Sequence, residues 1–268
     1  MAAADEEELS GGNVNRVVRI GDTVRRTVGP WSSGVHALLR HVRAQGFDGA
    51  PAFLGMDEAG RETLTFMAGE VAGNRYPNLP RFMWSDDTLE ALALLLRRYH
   101  DATQGFASPA TAAWQLSYRD AGRHEVMCHN DAALYNVVFR DEVPVALIDF
   151  DMASPGPRLW DIAYTIYTSI PLASFAPDDS TGVLAAYSKN PHAAERRRRL
   201  ALFFAAYGME APCDLKDWVI DRLRASCDTL RTRAAEGDPA FRKMVDEGHL
   251  AHYEREVDFL GNHCTDWT

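Results

Sequence analysis

Three polar positions in the 268-residue chain carry the residue types and spacing of phosphoryl chemistry: Asp131, Asn136 and Asp149. Asp131 closes the run His129-Asn130-Asp131 and precedes Asn136 by five residues. Two short apolar runs, 137–139 and 145–148, bracket the polar Arg140-Asp141-Glu142, a pattern that predicts an antiparallel hairpin. Its strands run in opposite directions, so the residue before the first and the residue after the second lie at one end of the ladder. Asn136 and Asp149 are therefore expected side by side. An amide oxygen beside a carboxylate is a hard oxygen site of the kind Mg²⁺ takes while keeping its waters and a nucleotide's phosphate oxygens. Asp131 would then orient an acceptor hydroxyl and receive its proton, as in phosphoryl transfer.

Taken together, His129-Asn130-Asp131 with Asn136, Ile148-Asp149-Phe150-Asp151 and Pro155-Gly156-Pro157-Arg158-Leu159-Trp160-Asp161-Ile162-Ala163-Tyr164 resemble the aminoglycoside phosphotransferase family, small-molecule relatives of the protein kinases. The resemblance implies an α+β, bilobal, protein-kinase-like fold, with a small β-rich N-terminal lobe holding one helix and a larger, mainly helical C-terminal lobe. It implies Mg²⁺ and ATP, with GTP left open, and a role for Asp161 in supporting the catalytic loop. Protein kinases carry Arg and Lys inside that loop, whereas this chain has Asn130 and Ala133, so a small-molecule acceptor is expected. His129 reads as a buried histidine that fixes the loop by hydrogen bonding rather than as an acid or base. Asp151 is close enough to join the metal through a water, but alternate positions of an extended segment face opposite ways, which ranks it below Asp149.

The elements that must position these residues lie upstream. Residues 14–20 and 23–26, around Gly21-Asp22, read as a strand pair joined by a tight turn. Before them, Ser10-Gly11-Gly12-Asn13 stands where the resemblance implies a nucleotide-covering loop, although the same residues read equally as a linker. The family holds phosphate with a strand lysine gripped by a helix glutamate, and this chain departs from that. Its strand offers only Arg25 and Arg26, either of which can meet phosphate, and the helix expected over 33–45 contains no Glu. His36 stands near the place of the missing acid and reads as a satisfied or solvent-facing histidine. Strands over 53–56 and 62–67 complete the lobe. Phe66, Met67 and Ala68 then resemble the hinge that offers backbone groups to adenine, and Gly69 marks the lobe boundary. The expected organisation is an acidic disordered tail (1–12), an N-lobe (13–68) and a C-lobe (69–268).

Downstream, Leu89, Leu92, Leu95, Leu96 and Tyr99 form an apolar stripe at helical spacing, and residues 158–169 read as a second helix. Beyond Asp178 the chain reads as wholly helical, over 180–188, 193–207, 215–235 and 239–262. Arg196-Arg197-Arg198-Arg199 reads as a solvated helix face. Asp178, Asp179, Asp214, Glu247, Glu254, Glu256 and Asp258 are candidates for an acceptor site, with surface solvation as the default for each.

A net charge of −10 disfavours a nucleic-acid partner and is compatible with a cationic acceptor, and equally with solubility alone. No apolar run approaches a membrane span, the acidic start is unlike a secretory signal, and the four cysteines show no metal spacing, so a cytoplasmic protein is expected. The expected activity is Mg²⁺-dependent transfer of the ATP γ-phosphoryl group to a hydroxyl of an antibiotic, conferring resistance. The alternatives are a non-catalytic immunity protein that sequesters its nucleotide or antibiotic, and a kinase of a metabolite such as choline or a sugar.

Overall fold

The structure, a computed structural model, describes residues 6–9, 17–178 and 181–267. The glycine segment 10–13 lies outside the described residues, as does Asp179. The chain divides into two compact units, one formed by Met1–Tyr76 and Leu95–Arg158, the other by Pro77–Leu94 and Leu159–Thr268.

The first unit opens with an antiparallel sheet of β1 (Glu6–Leu9), β2 (Val17–Ile20) and β3 (Thr23–Arg26), followed by α1 (Ser32–Ala44), β4 (Phe53–Met56) and β5 (Glu62–Thr65). The strand order is β1-β2-β3-β5-β4. β1 falls within the expected tail, yet it pairs along its length with β2, Glu6 opposite Ile20. Its exposed glutamates make it a charged edge strand, one that resists further pairing. α1 buries Val35, Leu38, Leu39 and Val42, none more than 1% exposed. That i, i+3, i+4, i+7 stripe explains the helix, each such side chain contributing about 1.5–3 kcal/mol.

The chain then forms β6 (Glu70–Val71), α2 (Asp86–Ala102), β7 (Val126–Cys128), β8 (Val137–Arg140), β9 (Val143–Leu147) and β10 (Ser154–Gly156). The hairpin expected from the apolar runs is β8–β9, with β6 adding a third strand through Glu70 opposite Phe139. Gly69 makes that crossing possible: its φ is +151°, and a Cβ there would collide with the Phe139 carbonyl oxygen. β7 pairs with β10, Cys128 opposite Ser154. α2 begins at Asp86, just after Ser85, whose hydroxyl accepts a hydrogen bond from the Thr88 N–H at 3.1 Å. Its stripe is core: Leu89, Leu92, Leu96 and Tyr99 are at most 1% exposed.

α3 (Arg158–Ser169) keeps its expected bounds. The next expected helix, 180–188, is instead part of a small hairpin of β11 (Phe175–Pro177) and β12 (Leu184–Ala186). The Asp178 carboxylate turns the chain by accepting from the Thr181 N–H and hydroxyl, both at 2.8 Å, and Gly182 takes a left-handed φ of +72°. α4 (Lys189–Tyr207), α5 (Leu215–Ala235), α6 (Pro239–Asp246) and α7 (His249–His263) follow. The single helix expected over 239–262 breaks at Gly248, whose φ of +90° no right-handed helix passes through. The arginine run on α4 is only half solvated. Arg197 and Arg198 are exposed, whereas Arg196 (2% exposed) and Arg199 (9%) fall on the buried face three residues apart. Arg196 donates to the Ala173 and Phe175 carbonyls and lies 4.1 Å over the Tyr187 ring.

Candidate active site

Asp131 sits on the loop that leaves β7, and its carboxylate is held at both oxygens. The Tyr135 hydroxyl donates to Oδ1 at 2.5 Å and the Asn136 amide donates to Oδ2 at 2.8 Å. The same amide nitrogen reaches the Asp131 carbonyl at 3.0 Å, and the Ala133 N–H donates to that carbonyl at 2.8 Å. Two side-chain donors on a half-buried carboxylate fix its plane.

The preceding residues lock the loop. His129 is fully buried, and its Nδ1 accepts from the Asp131 N–H at 3.3 Å. A backbone amide can only donate, so Nε2 carries the ring proton and donates to the Ile148 carbonyl at 3.1 Å. Both ring nitrogens are thereby engaged by the backbone around the loop. Asn130 adopts φ +65°, and its amide donates to the Met152 carbonyl and the Ser154 hydroxyl, both at 2.9 Å. An asparagine tolerates that left-handed backbone, so its type follows from its place.

The hairpin delivers Asn136 and Asp149 to one end of its ladder, where the Ile148 N–H donates to the Asn136 carbonyl at 2.9 Å. Asp149 also takes left-handed dihedrals, φ 64° and ψ 67°, and leads into a 3₁₀ turn over Phe150–Met152. That turn overrides the alternation expected of an extended strand, because it brings the Asp149 and Asp151 carboxylates to one guanidinium.

That guanidinium belongs to Arg26, and its contacts were not legible from the sequence. Nε donates to Glu62 Oε1 at 2.7 Å, Nη1 to Asp149 Oδ1 at 3.0 Å and Nη2 to Asp151 Oδ1 at 2.6 Å. Strand alternation sends Arg25 elsewhere: its Nη1 donates to the Thr23 hydroxyl at 2.7 Å, and its Nε stands 3.7 Å from Asp57. His36 is satisfied and buried, its Nε2 2.6 Å from Glu62 Oε2 and its ring stacked on Phe53 at 3.7 Å. Burial works against the Arg26 charge, but Asp151, Asp149 and Glu62 outweigh it and raise its pKa. Burial pushes Asp151 up to about 6, with Arg26 opposing and the charges of Asp149 and Glu62 adding to the rise. Burial would also raise Glu62, yet the hydrogen bond from His36 and the charge of Arg26 hold it below the usual carboxylate range.

The donor set fits Mg²⁺. Asp149 keeps 47% of its side-chain surface exposed, and the Asn136 NH₂ is committed to Asp131, so the amide oxygen is the atom with which Asn136 would bind a metal. Among the described residues the Arg26 guanidinium meets three carboxylates, Glu62, Asp149 and Asp151, and a divalent cation would offset the negative charge that remains. Among the described residues no group of three His, Cys, Asp or Glu side chains is arranged to hold a metal alone. A site of two protein donors suits an ion that keeps waters and nucleotide phosphates as its remaining ligands.

The other expected site residues are spread more widely. Of the hinge residues, the Phe66 N–H donates to the Asp22 carbonyl at 2.8 Å, and the Ala68 carbonyl accepts from Arg140 at 3.3 Å, with Met67 between them. Asp161 is fully buried on α3, in the second unit. Of the acids named for an acceptor, several are engaged locally: Glu256 accepts from the Ser174 N–H and hydroxyl, at 2.8 and 2.6 Å, and Glu254 pairs with Arg231 at 2.6 Å. Glu62 and Tyr135 are the residues the sequence reading passed over. The signal for Tyr135 was available, as a phenol four residues after an acid on a short loop.

The antiparallel sheet with one helix, the hairpin carrying Asn136 and Asp149, and the helical remainder define a protein-kinase-like α+β fold. Solved structures of that fold are similar over nearly the whole chain. A choline/ethanolamine kinase family protein from Mesorhizobium loti is 16% identical with a TM-score of 0.61, covering 99% of this chain and 93% of its own. Aminoglycoside 2′-phosphotransferase-IIIa, solved with GDP, is 14% identical with a TM-score of 0.55, covering 97% and 93%. The chain belongs to the Phosphotransferase enzyme family (APH), whose family model matches residues 48–203. A trifolitoxin immunity protein from Rhizobium leguminosarum bv. trifolii is 41% identical over 155 residues, 56% of this chain and 57% of that protein. The chain thus matches little more than half the length of that curated relative. Among the described residues no helix is long and apolar enough to cross a membrane.

Proposed function

We propose that this protein is a Mg²⁺-dependent O-phosphotransferase that uses ATP or GTP to phosphorylate a hydroxyl of a small antibiotic or toxin, protecting the cell that makes it. The observation that carries this reading is the Asp131 carboxylate, clamped by Tyr135 and Asn136 on the loop that leads into the metal-donor hairpin. A binding protein has no need of a carboxylate oriented at both oxygens beside two metal donors.

In this reading residues 13–68 carry the nucleotide, with Phe66, Met67 and Ala68 along the base, and residues 69–268 carry the chemistry and the acceptor. Asn136 and Asp149 hold Mg²⁺, which neutralises charge on the transferring phosphate when bound. Asp131 accepts a hydrogen bond from the acceptor hydroxyl and fixes its line of approach. As the acceptor oxygen bonds to Pγ, the bond from Pγ to the bridging oxygen breaks, a nucleoside diphosphate leaves and the hydroxyl proton passes to Asp131. A carboxylate is too weak a base to deprotonate an alcohol beforehand, so orientation and charge neutralisation supply the rate. Arg26 adds a permanent positive charge beside the phosphates. Among the described residues the four cysteines form no disulfide, which suits a reducing cytoplasm.

A second reading is favoured by the name of the 41% identical relative: an immunity protein that sequesters a toxin without modifying it. Purified protein with Mg²⁺ and ATP or GTP, offered a panel of hydroxyl-bearing antibiotics, toxins and metabolites including choline, separates the two. The kinase yields a phosphomonoester with one acceptor class and none with Asp131→Ala. A sequestering protein yields none, and its Asp131→Ala variant still protects cells.

A further inference from the structure

The family's lysine and helix glutamate are absent, yet a buried cation is held at the head of this site by other means. Arg26 on β3 and Glu62 on β5 stand directly opposite each other in the sheet register. Glu62 is 1% exposed, and both its oxygens are taken, one by Arg26 Nε at 2.7 Å and one by His36 Nε2 at 2.6 Å. His36 comes from α1, 8% exposed, and its ring is fixed by the stack on Phe53.

We infer that Glu62, backed by His36, is the positioning residue that aims Arg26 at the phosphates of the bound nucleotide. The inference rests on the nucleotide-dependent reading above. A guanidinium is planar and presents its donors in a rigid fork, so tying the stem nitrogen fixes the direction of both terminal nitrogens. Glu62 takes that stem nitrogen. The terminal nitrogens point to Asp149 and Asp151, and of the five N–H bonds three are used, leaving one on each terminal nitrogen. The acids that the terminal nitrogens meet include Asp149, which with Asn136 would hold the metal. The acid is set by strand register rather than by the placement of a helix, so the clasp is built into the sheet. A buried ion pair is weak evidence of stabilisation, because desolvation offsets most of the Coulombic gain. A cation kept aimed at a ligand explains why this pair is buried here.

The test is binding to the full-length protein of Mg·ATP and Mg·GTP, each compared with the corresponding nucleoside, which has no phosphate. Glu62→Gln leaves the volume of the side chain and removes the charge that grips Arg26. The clasp predicts a loss of triphosphate affinity of roughly tenfold or more, from the loss of a charged hydrogen bond, with nucleoside affinity unchanged. Retained nucleoside binding shows that the variant is folded. Should Glu62→Gln lose both ligands, His36→Phe decides, because it keeps a ring against Phe53 and removes only the bond to Glu62. Its predicted loss is smaller and again confined to the triphosphate. Unchanged triphosphate affinity in both variants, with turnover still abolished by Asp131→Ala, overturns the clasp and leaves the phosphotransferase standing. A folded wild-type protein that binds nucleoside and no triphosphate overturns both.

Discussion

The Tyr135 hydroxyl lies 2.5 Å from Asp131 Oδ1, while the Asn136 amide holds the other oxygen, Oδ2, at 2.8 Å. A phenol four residues downstream thus shares the task of holding the acid with the residue assigned to metal. The Tyr76 ring meets the Tyr135 ring edge-on at 5.6 Å, which keeps the phenol in place. Tyr135→Phe keeps that ring contact and deletes the donor. The expected outcome is a fall in kcat of roughly ten- to a hundredfold with the nucleotide KM unchanged, measured in steady state on the acceptor that wild type phosphorylates.

The Arg26–Glu62 pair gives stability a pH dependence of known sign. The folded pKa of Glu62 lies below its unfolded value, so in the window between them the unfolded chain binds more protons and stability rises with pH. The contribution is fully present above the unfolded glutamate value and is lost as pH falls through the folded one. Thermal melts of wild type and Glu62→Gln across acidic pH are expected to converge toward the acid end and separate toward neutrality. Parallel curves would show that the pair does not titrate as described.

Gly69 tests the join between residues 66–68 and the β8–β9 hairpin. Gly69→Ala places a methyl against the Phe139 carbonyl and the Val138 side chain at a backbone conformation that L residues rarely adopt. The strain alone costs about 1–3 kcal/mol, and opening of the β6–β8 pairing adds to it. A fall in Tm of several degrees is expected by calorimetry.

Asp238 is the N-cap of α6, accepting from the Ala240 and Phe241 N–H groups at 3.0 and 3.5 Å and pairing with Arg233 at 2.7 Å. Asp238→Ala is expected to cost about 1 kcal/mol, a shift of about 2–4 °C in Tm. Turnover should be unchanged, since the cap lies outside the site described above.

What was legible in the sequence was local. The acid, the asparagine and the second acid could be placed because one loop and one hairpin, close in sequence, set their spacing, and strand direction alone makes Asn136 and Asp149 neighbours. Glu62 was invisible because its role depends on the β3–β5 register, a pairing across 36 residues, and on a histidine from a third element. Arg196 and Arg199 looked like surface because four consecutive arginines hide which of them share the buried stripe of α4. The break at Gly248 and the hairpin at β11–β12 carried glycine, proline and aspartate signals that helical periodicity on either side overrode.

The measurement closest to the central claim is phosphoryl transfer from Mg²⁺ with ATP or GTP to a panel of hydroxyl-bearing acceptors, by wild type and Asp131→Ala in parallel. The account predicts a phosphomonoester from one acceptor class with wild type and none detected with the variant. Measurable binding of an acceptor without any transfer, together with undiminished protection of cells by Asp131→Ala, would contradict it and leave a sequestering immunity protein.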